Sequence, residues 1–243
     1  MKQNQTDNQI EEEHLLNFVV NSLNEELTIN LGEDVEVSTE DLYEVLAGAS
    51  ASGTSVNHIC ETTEDSPHAN TVRGYLTDQF NLDTVEQVGD TLLQQDTIET
   101  LPDRPVEVVA DLHLDPYYGD EDETEALYSS LAKRGTTSFH AYATLYARVR
   151  NKRYTLAVRQ LVAGETSSDV LSEFFELLDG LDLHVKAVYL DRGFYNSTCL
   201  GLLYAHNYAY VMPIVKWGET IQDELSRGWS REIEHDLAGS NLC

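Results

Sequence analysis

Residues 106–120 read VEVVADLHLDPYYGD, and residues 185–196 read VKAVYLDRGFYN. Each stretch begins with a run of apolar and β-branched residues, which is typical of a buried central strand. Each run ends in an aspartate, Asp111 in the first and Asp191 in the second. A carboxylate in such a run must be paired, hydrogen-bonded or bound to a metal, because an isolated buried charge is too costly.

Two such strands side by side predict a dicarboxylate metal site, the arrangement that phosphoryl-transfer nucleases use. For either aspartate alone, the more common role is a helix or turn cap or a salt bridge. The two together, each directly after an apolar run, favour the metal site. His113 is expected on the same strand face as Asp111. Its possible roles are metal ligand, DNA contact, or a histidine whose hydrogen bonds are satisfied in the core or at its rim. Asp115 and Asp120 are auxiliary ligands or turn residues.

Length and composition restrict the class of protein. A chain of 243 residues is long enough for one good-sized domain and a small one. No stretch approaches about 18 consecutive apolar residues, so we expect no membrane span. The N-terminus, MKQNQTDNQIEEEH, is polar and acidic, unlike a secretory signal. Cys60, Cys199 and Cys243 are widely spaced and show neither metal-ligand nor disulfide spacing, which predicts a cytoplasmic protein.

The net charge is −28, and only 5 of the 15 basic residues are lysines. Abundant acids and few lysines are expected of a halophilic protein, because molar salt shortens the Debye length to about 3 Å and screens self-repulsion. The alternative is an ordinary acidic protein that avoids nucleic acid. Composition alone leaves both interpretations open.

The basic residues are concentrated in one part of the chain. Residues 1–100 carry 21 acids and 2 bases, whereas the segment between Glu125 and Glu165 contains no acid at all. This acid-free segment carries seven cations: Lys133, Arg134, Arg148, Arg150, Lys152, Arg153 and Arg159. The pattern favours a track for the phosphate backbone of DNA beside the aspartates. The alternative is a solvated hairpin whose bases pair with acids elsewhere.

Changes in pattern predict four parts of the chain. They are a disordered acidic tail (1–14), a helical N-terminal domain (15–101), an α/β core (106–216) and a polar, irregular tail (217–243). The prolines of Leu101-Pro102-Asp103-Arg104-Pro105 mark the linker before the core. Helices predicted over 55–62 and 68–80, joined by a short turn, are consistent with a helix-turn-helix. A plain packing or dimerisation module fits them equally well.

From residue 106 the predicted order is β, short α, β, β, α, β, α, β. The short helix is placed near Thr124–Lys133, and strands over 137–150 and 153–162 form a hairpin joined by Asn151-Lys152. This order is that of a ribonuclease H-like mixed sheet, preceded here by the small all-α domain. In that architecture the first and fourth strands are neighbours, which brings Asp111 and Asp191 together.

Three stretches resemble the DDE-class insertion-sequence transposases of haloarchaea. They are VVADLHLDPYYGD, AKRGTTSFHAYATLYARVRNKRYTLAVRQL, and VKAVYLDRGFYNS followed by YAYVMPIVKWG. The resemblance spans about residues 15–236, and the Asp-Arg-Gly-Phe-Tyr segment is its most specific part. It implies that Asp111 and Asp191 are the first two catalytic acids, binding Mg²⁺ or Mn²⁺, and that Arg192 contacts DNA or orients the site. It also implies DNA partners, namely transposon ends and target DNA, and either a homodimer or pairing with a full-length transposase.

The third acid of that family is not evident in this chain. The resemblance implies a glutamate on a helix past the fifth strand, within a Tyr…Arg…Glu…Lys motif that is absent here. Glu224, Glu232 and Glu234 are among the glutamates that follow this strand. We therefore expect a truncated and catalytically incomplete transposase. The alternatives are a non-catalytic DNA- or partner-binding protein that regulates full-length transposase, and an acidic α/β protein of unrelated role.

Overall fold

The structure is a computed structural model that describes residues 12–32, 35–95, 97–120, 127–214 and 219–228. The chain divides into two compact units, Met1–Val88 and Gly89–Cys243. This division lies before the predicted linker, so the end of the helical segment belongs with the sheet. Most of the predicted acidic tail and residues 121–126, 215–218 and 229–243 lie outside the described residues. Within the described ranges, no helix is long and apolar enough to cross a membrane.

The described residues of the first unit form four helices and the start of a fifth. They are α1 (Glu12–Glu26), α2 (Thr39–Ser52), α3 (Val56–Thr62), α4 (Ala69–Gln79) and α5 (Leu82–Gln95). Helix α2 begins at Thr39 because Ser38 and Asp41 form a reciprocal capping box. Its buried face carries Leu42 and Tyr43, both fully enclosed, and the Tyr43 hydroxyl donates to the Leu27 carbonyl at 3.1 Å. These contacts give the unit a small core of its own.

The second unit is built on a six-stranded mixed sheet. Its elements are α6 (Thr97–Thr100), β1 (Val106–Pro116), β2 (Tyr128–Lys133), β3 (Thr136–Val149), β4 (Lys152–Leu161), α7 (Ser167–Gly180), β5 (Val185–Leu190), a 3₁₀ turn (Arg192–Phe194), α8 (Ser197–Ala205), β6 (Tyr210–Val211) and α9 (Glu219–Ser226). The strand order is β2-β3-β1-β5-β6, and β4 also pairs with β3. Strand β1 is central: it is antiparallel to β3 and parallel to β5.

Three sequence predictions for this unit are wrong. The helix expected near Thr124–Lys133 is strand β2 over its described part, because Arg134 and Gly135 have φ of 52° and 87° and close a two-residue hairpin onto β3. The β3–β4 turn lies at Arg150-Asn151, one residue earlier than predicted, since Val149 pairs with Lys152. The tail is not irregular throughout, because it contains helix α9, whose Ile221 is buried.

One face of the sheet forms the core. Val108, Ala110 and Leu145 pack there with α7, which contributes Phe174 and Phe175. A capping box between Thr166 and Asp169 fixes the start of α7. The opposite face, called here the polar face, carries the intervening residues of each strand. On β1 the alternation changes from buried Val106, Val108 and Ala110 to exposed Asp111, His113 and Asp115.

Candidate functional site

The strand pairing places Asp111 beside Asp191. Strands β1 and β5 run parallel with Val108 opposite Val188 and Ala110 opposite Leu190, where their pairing ends. Asp111 is the next residue of β1, and Asp191 is the residue directly after β5. The Asp111 carboxylate is close enough to raise the pKa of Asp191, so the two acids are neighbours. Because Ala110 and Leu190 are in the core, alternation puts the following pair on the polar face. Sequence reasoning predicted this adjacency of the two strands.

A tight turn holds the Asp191 carboxylate. Asp191 caps the 3₁₀ turn, and its Oδ1 accepts a hydrogen bond from the Gly193 amide at 2.5 Å. A Cβ atom on Gly193 would lie 2.8 Å from that oxygen and 3.2 Å from Leu112 Cδ2, so only glycine fits without displacement. Phe194 anchors the turn because its ring is fully buried in the core.

The pKa of Asp191 reflects both its burial and the charges of its neighbours. Burial is the main cause that raises the pKa of Asp191, and the neighbouring Asp111 carboxylate raises it further. The Gly193 amide, Lys133 and Arg192 act in the opposite direction and lower the same pKa. A pair of this kind gains from a shared proton or from a cation between the two carboxylates.

The described residues supply no third ligand to the pair. No group of three or more His, Cys, Asp or Glu side chains suited to a metal ion occurs among them. Strand register places His113 opposite Tyr142 and Asp115 opposite His140, further along β1. Glu224 lies on α9, where Arg227 is 3.3 Å away. Glu232 and Glu234 fall outside the described residues.

A polar network behind the turn was missed by sequence reasoning. The Ser167 hydroxyl donates to the Gly193 carbonyl at 3.1 Å, and the Asn196 amide donates to Ser167 Oγ at 3.3 Å. The same Asn196 amide donates to Cys199 Sγ at 3.2 Å, and burial raises the pKa of that thiol. In the sequence, Ser167 and Asn196 have the residue types expected at helix starts, and both lie there. Their residue types therefore gave no indication of the hydrogen bonds that join them to the turn.

The predicted cation track separates into two groups at different ends of the strands. Lys133 and Arg134 lie at the β2–β3 turn, and Lys133 and Arg192 are close enough to Asp191 to affect its pKa. Arg148 on β3 and Arg153 on β4 are opposite each other in the strand register near the β3–β4 turn. Arg148 is also opposite Glu107 on β1. Glu107 precedes Asp111 by four residues, or about 13 Å of strand. The cations are therefore not one track beside the aspartates.

Arg159 belongs to the folded core and not to either group. Its guanidinium donates to both oxygens of Asp90, at 2.9 and 2.6 Å, and to Glu173 at 3.1 Å. Its side chain is 13% exposed. The sequence counted this residue among the cations of the track, but its contacts make it a link between β4, α5 and α7.

The group near the β3–β4 turn extends into a basic cleft. A cleft of about 750 Å³ is lined by Arg104, Arg150, Lys152 and neighbouring residues, and an adjoining cleft of about 250 Å³ includes Arg104, Arg148 and Lys186. Arg104 and Lys186 lie outside the acid-free segment, so sequence reasoning did not include them. Arg104 reaches this cleft from the linker before β1, and Lys186 reaches it from β5.

Glu107 is the acid that faces this group on β1. Its carboxylate accepts from Lys186 Nζ at 3.2 Å and from the Tyr189 hydroxyl at 3.3 Å. The bond from Lys186 is the main cause that lowers the pKa of Glu107. Arg153 lies 5.1 Å from the centroid of the Tyr146 ring, a cation–π contact on the polar face.

Comparison with known proteins gives structural similarity only. No family model matches the chain, and no curated protein matches it. The chain is similar to the piggyBac transposase synaptic complex with hairpin DNA, with a TM-score of 0.36 at 12% identity over 92% of this chain and 46% of that chain. It thus spans about half the length of the piggyBac chain.

Two Mos1 complexes are also similar to the chain. The pre-cleavage Mos1 transpososome gives a TM-score of 0.28 at 11% identity, covering 76% of this chain and 61% of that one. The Mos1 strand transfer complex gives 0.26 at 10% identity, covering 82% and 64%. Similarity of this extent is coarse, and it assigns neither a family nor a function to the chain.

Proposed function

We propose that this chain is a DNA-binding protein of the DDE transposase kind, with a ribonuclease H-like core and a divalent-cation site at Asp111 and Asp191. The observation that carries the proposal is the parallel pairing of β1 with β5, which ends at Ala110 and Leu190, the residues directly before Asp111 and Asp191. The effect of the Asp111 carboxylate on the pKa of Asp191 supports their proximity. The antiparallel β3 and the parallel β5 on either side of β1 support the ribonuclease H-like assignment.

The two carboxylates fit one Mg²⁺ or Mn²⁺ ion. Mg²⁺ prefers oxygen ligands, keeps several waters, and is commonly held by one or two carboxylates together with substrate phosphates. Burial and, to a smaller extent, the Asp111 carboxylate raise the pKa of Asp191, and a cation held by both carboxylates would offset both effects. Such an ion, when bound, would activate a nucleophilic oxygen or stabilise the leaving one.

The protein's own residues would position the DNA. Lys133 and Arg192 lie near Asp191, and Arg134 follows Lys133 in the β2–β3 turn, so the three are suited to the phosphates next to the reacting one. A second cationic surface consists of the residues that line the basic cleft, namely Arg104, Arg148, Arg150, Lys152 and Lys186. Arg153 lies opposite Arg148 on β4. In a chain of net charge −28, surfaces with so few acids are the ones that a polyanion can approach. Transposon ends and target DNA are the DNA partners we propose.

The described residues support weak or single-ion binding, because no third acid joins the pair within them. A second candidate function therefore follows from the same geometry. In it the chain binds DNA or a full-length transposase and regulates transposition without cleaving DNA. The two candidates share the basic surfaces and differ in whether Asp111 and Asp191 support chemistry.

Binding of Mn²⁺ and nicking of DNA, measured on the same variants, test the proposal. We expect one Mn²⁺ per chain by electron paramagnetic resonance, lost in Asp111→Asn and Asp191→Asn. Asp115→Asn is the matched control, since Asp115 is an exposed aspartate on the same strand and face. Equal Mn²⁺ affinity in Asp111→Asn and wild type would refute the cation site.

Nicking of supercoiled plasmid, with Mn²⁺ in molar KCl, separates the two candidate functions. Nicking that Asp111→Asn abolishes would establish the enzyme and show that a further ligand lies outside the described residues. Binding of DNA without nicking would establish the regulatory candidate. A chain that neither binds DNA nor nicks it would exclude both.

A further inference from the structure

The Gly193 peptide is held from both sides. Its amide donates to Asp191 Oδ1 at 2.5 Å, and its carbonyl accepts from the Ser167 hydroxyl at 3.1 Å. Ser167 is the first residue of α7 and is only 8% exposed. The rotation of this one peptide therefore decides whether its N–H points at the Asp191 carboxylate.

Asn196 fixes the direction in which Ser167 donates. A serine hydroxyl has one proton to donate and can also accept. Because the Asn196 amide donates to Ser167 Oγ at 3.3 Å, the hydroxyl accepts from Asn196 and directs its own proton to the Gly193 carbonyl. Asn196 is itself held by its cap of α8, where Oδ1 accepts from the Cys199 amide at 2.9 Å. The relay thus runs from the start of α8 to the start of α7 and on to the turn.

We propose that Ser167 and Asn196 are positioning residues for Asp191, which fix the Gly193 peptide and through it the carboxylate that would hold a divalent cation. The proposal rests on the cation site proposed above. Residues that hydrogen-bond to the partners of a metal ligand orient that ligand, and their loss typically lowers metal affinity about 10- to 100-fold.

Replacement of Ser167 by alanine tests the relay. We expect Ser167→Ala to bind Mn²⁺ about tenfold or more weakly than wild type. Ser172→Ala is the matched control, because it is the same substitution five residues further along α7 and leaves the relay intact. A urea-unfolding curve for each variant checks that the fold is retained, so that a change in affinity is not a loss of folded protein.

Asn196→Asp is the second variant. Aspartate keeps the oxygen that caps α8 but cannot donate to Ser167, so the Ser167 proton turns to the new carboxylate and leaves Gly193. We expect the cap, and hence the unfolding midpoint, to be kept while Mn²⁺ affinity falls. Unchanged Mn²⁺ affinity in both Ser167→Ala and Asn196→Asp would overturn the proposal.

A readout without metal separates this proposal from the cation site. In wild type the short bond to Asp191 should move the Gly193 amide proton resonance downfield, and Ser167→Ala should move it back while Ser172→Ala does not. If Asp111→Asn binds Mn²⁺ as tightly as wild type, the cation site is refuted. The shift of the Gly193 resonance still tests the positioning role in that case. A Gly193 resonance unaffected by Ser167→Ala would refute that role whatever the metal data show.

Discussion

The basic cleft leads to a quantitative prediction for DNA binding. Arg148, Arg150 and Arg153 are exposed around the β3–β4 turn, and we predict that changing all three to glutamine reduces the salt dependence of binding. Each phosphate contact contributes about 0.9 to the slope of log affinity against log salt on duplex DNA. Three lost contacts make the slope shallower by about 2.7, so between 0.1 and 0.4 M KCl wild type should lose about 40-fold more affinity than the variant.

Fluorescence anisotropy of a labelled duplex, in EDTA across that range of KCl, measures the slope. Arg227→Gln is the control for loss of charge, since Arg227 lies outside both cation groups and is paired with Asp223 and Glu224. A second triple variant, in which Lys133, Arg134 and Arg192 become glutamine, reports on the group near the acids. A slope change below about one for the cleft variant would refute the assignment of DNA contact to this end of the strands.

Three further outcomes are expected. Arg159→Met should lower the free energy of unfolding by about 2–4 kcal/mol, measured in urea, because it leaves the largely buried Asp90 without its bidentate partner; a loss under about 0.5 kcal/mol would contradict this. Gly193→Ala should weaken Mn²⁺ binding with the fold retained, because its Cβ would meet Asp191 Oδ1 and Leu112, and unchanged affinity would contradict it. The pKa of Asp191 is raised in the folded protein, so wild type loses stability as pH rises above the unfolded pKa of about 3.9. Asp191→Asn has no such titration, so its free energy of unfolding relative to wild type should increase from pH 4 to 7. A difference that does not change with pH would refute the assigned burial of Asp191.

The sequence predicted the strands of the site better than the residues that support them. Apolar runs ending in Asp111 and Asp191 were visible because period and residue type are local properties. Strand β2 was missed because its sequence, YSSLAK, has no strong alternation, and only the Arg134-Gly135 turn and pairing with β3 make it a strand.

The partners of the cations could not be predicted, because ion pairs depend on which elements the fold brings together. Arg159 and Asp90 are 69 residues apart in the chain, so nothing local linked them. Arg104 and Lys186 reach the basic cleft from the linker and from β5 for the same reason. The Ser167–Asn196 relay likewise joins two helix starts that are 29 residues apart.

The parallel pairing of β1 with β5 also has a consequence for folding. The two aspartates are 80 positions apart (191 − 111), and parallel strands pair only after the chain between them has crossed over. Closing so long a loop costs entropy before any contact rewards it, which makes such pairings slow to form. A divalent ion that needs both carboxylates would bind the finished sheet and not the unfolded chain, and would therefore stabilise it by mass action. If the ion binds only the completed sheet, its addition should slow the hydrogen exchange of the β5 amides. The ion would then indicate that β1 and β5 have paired.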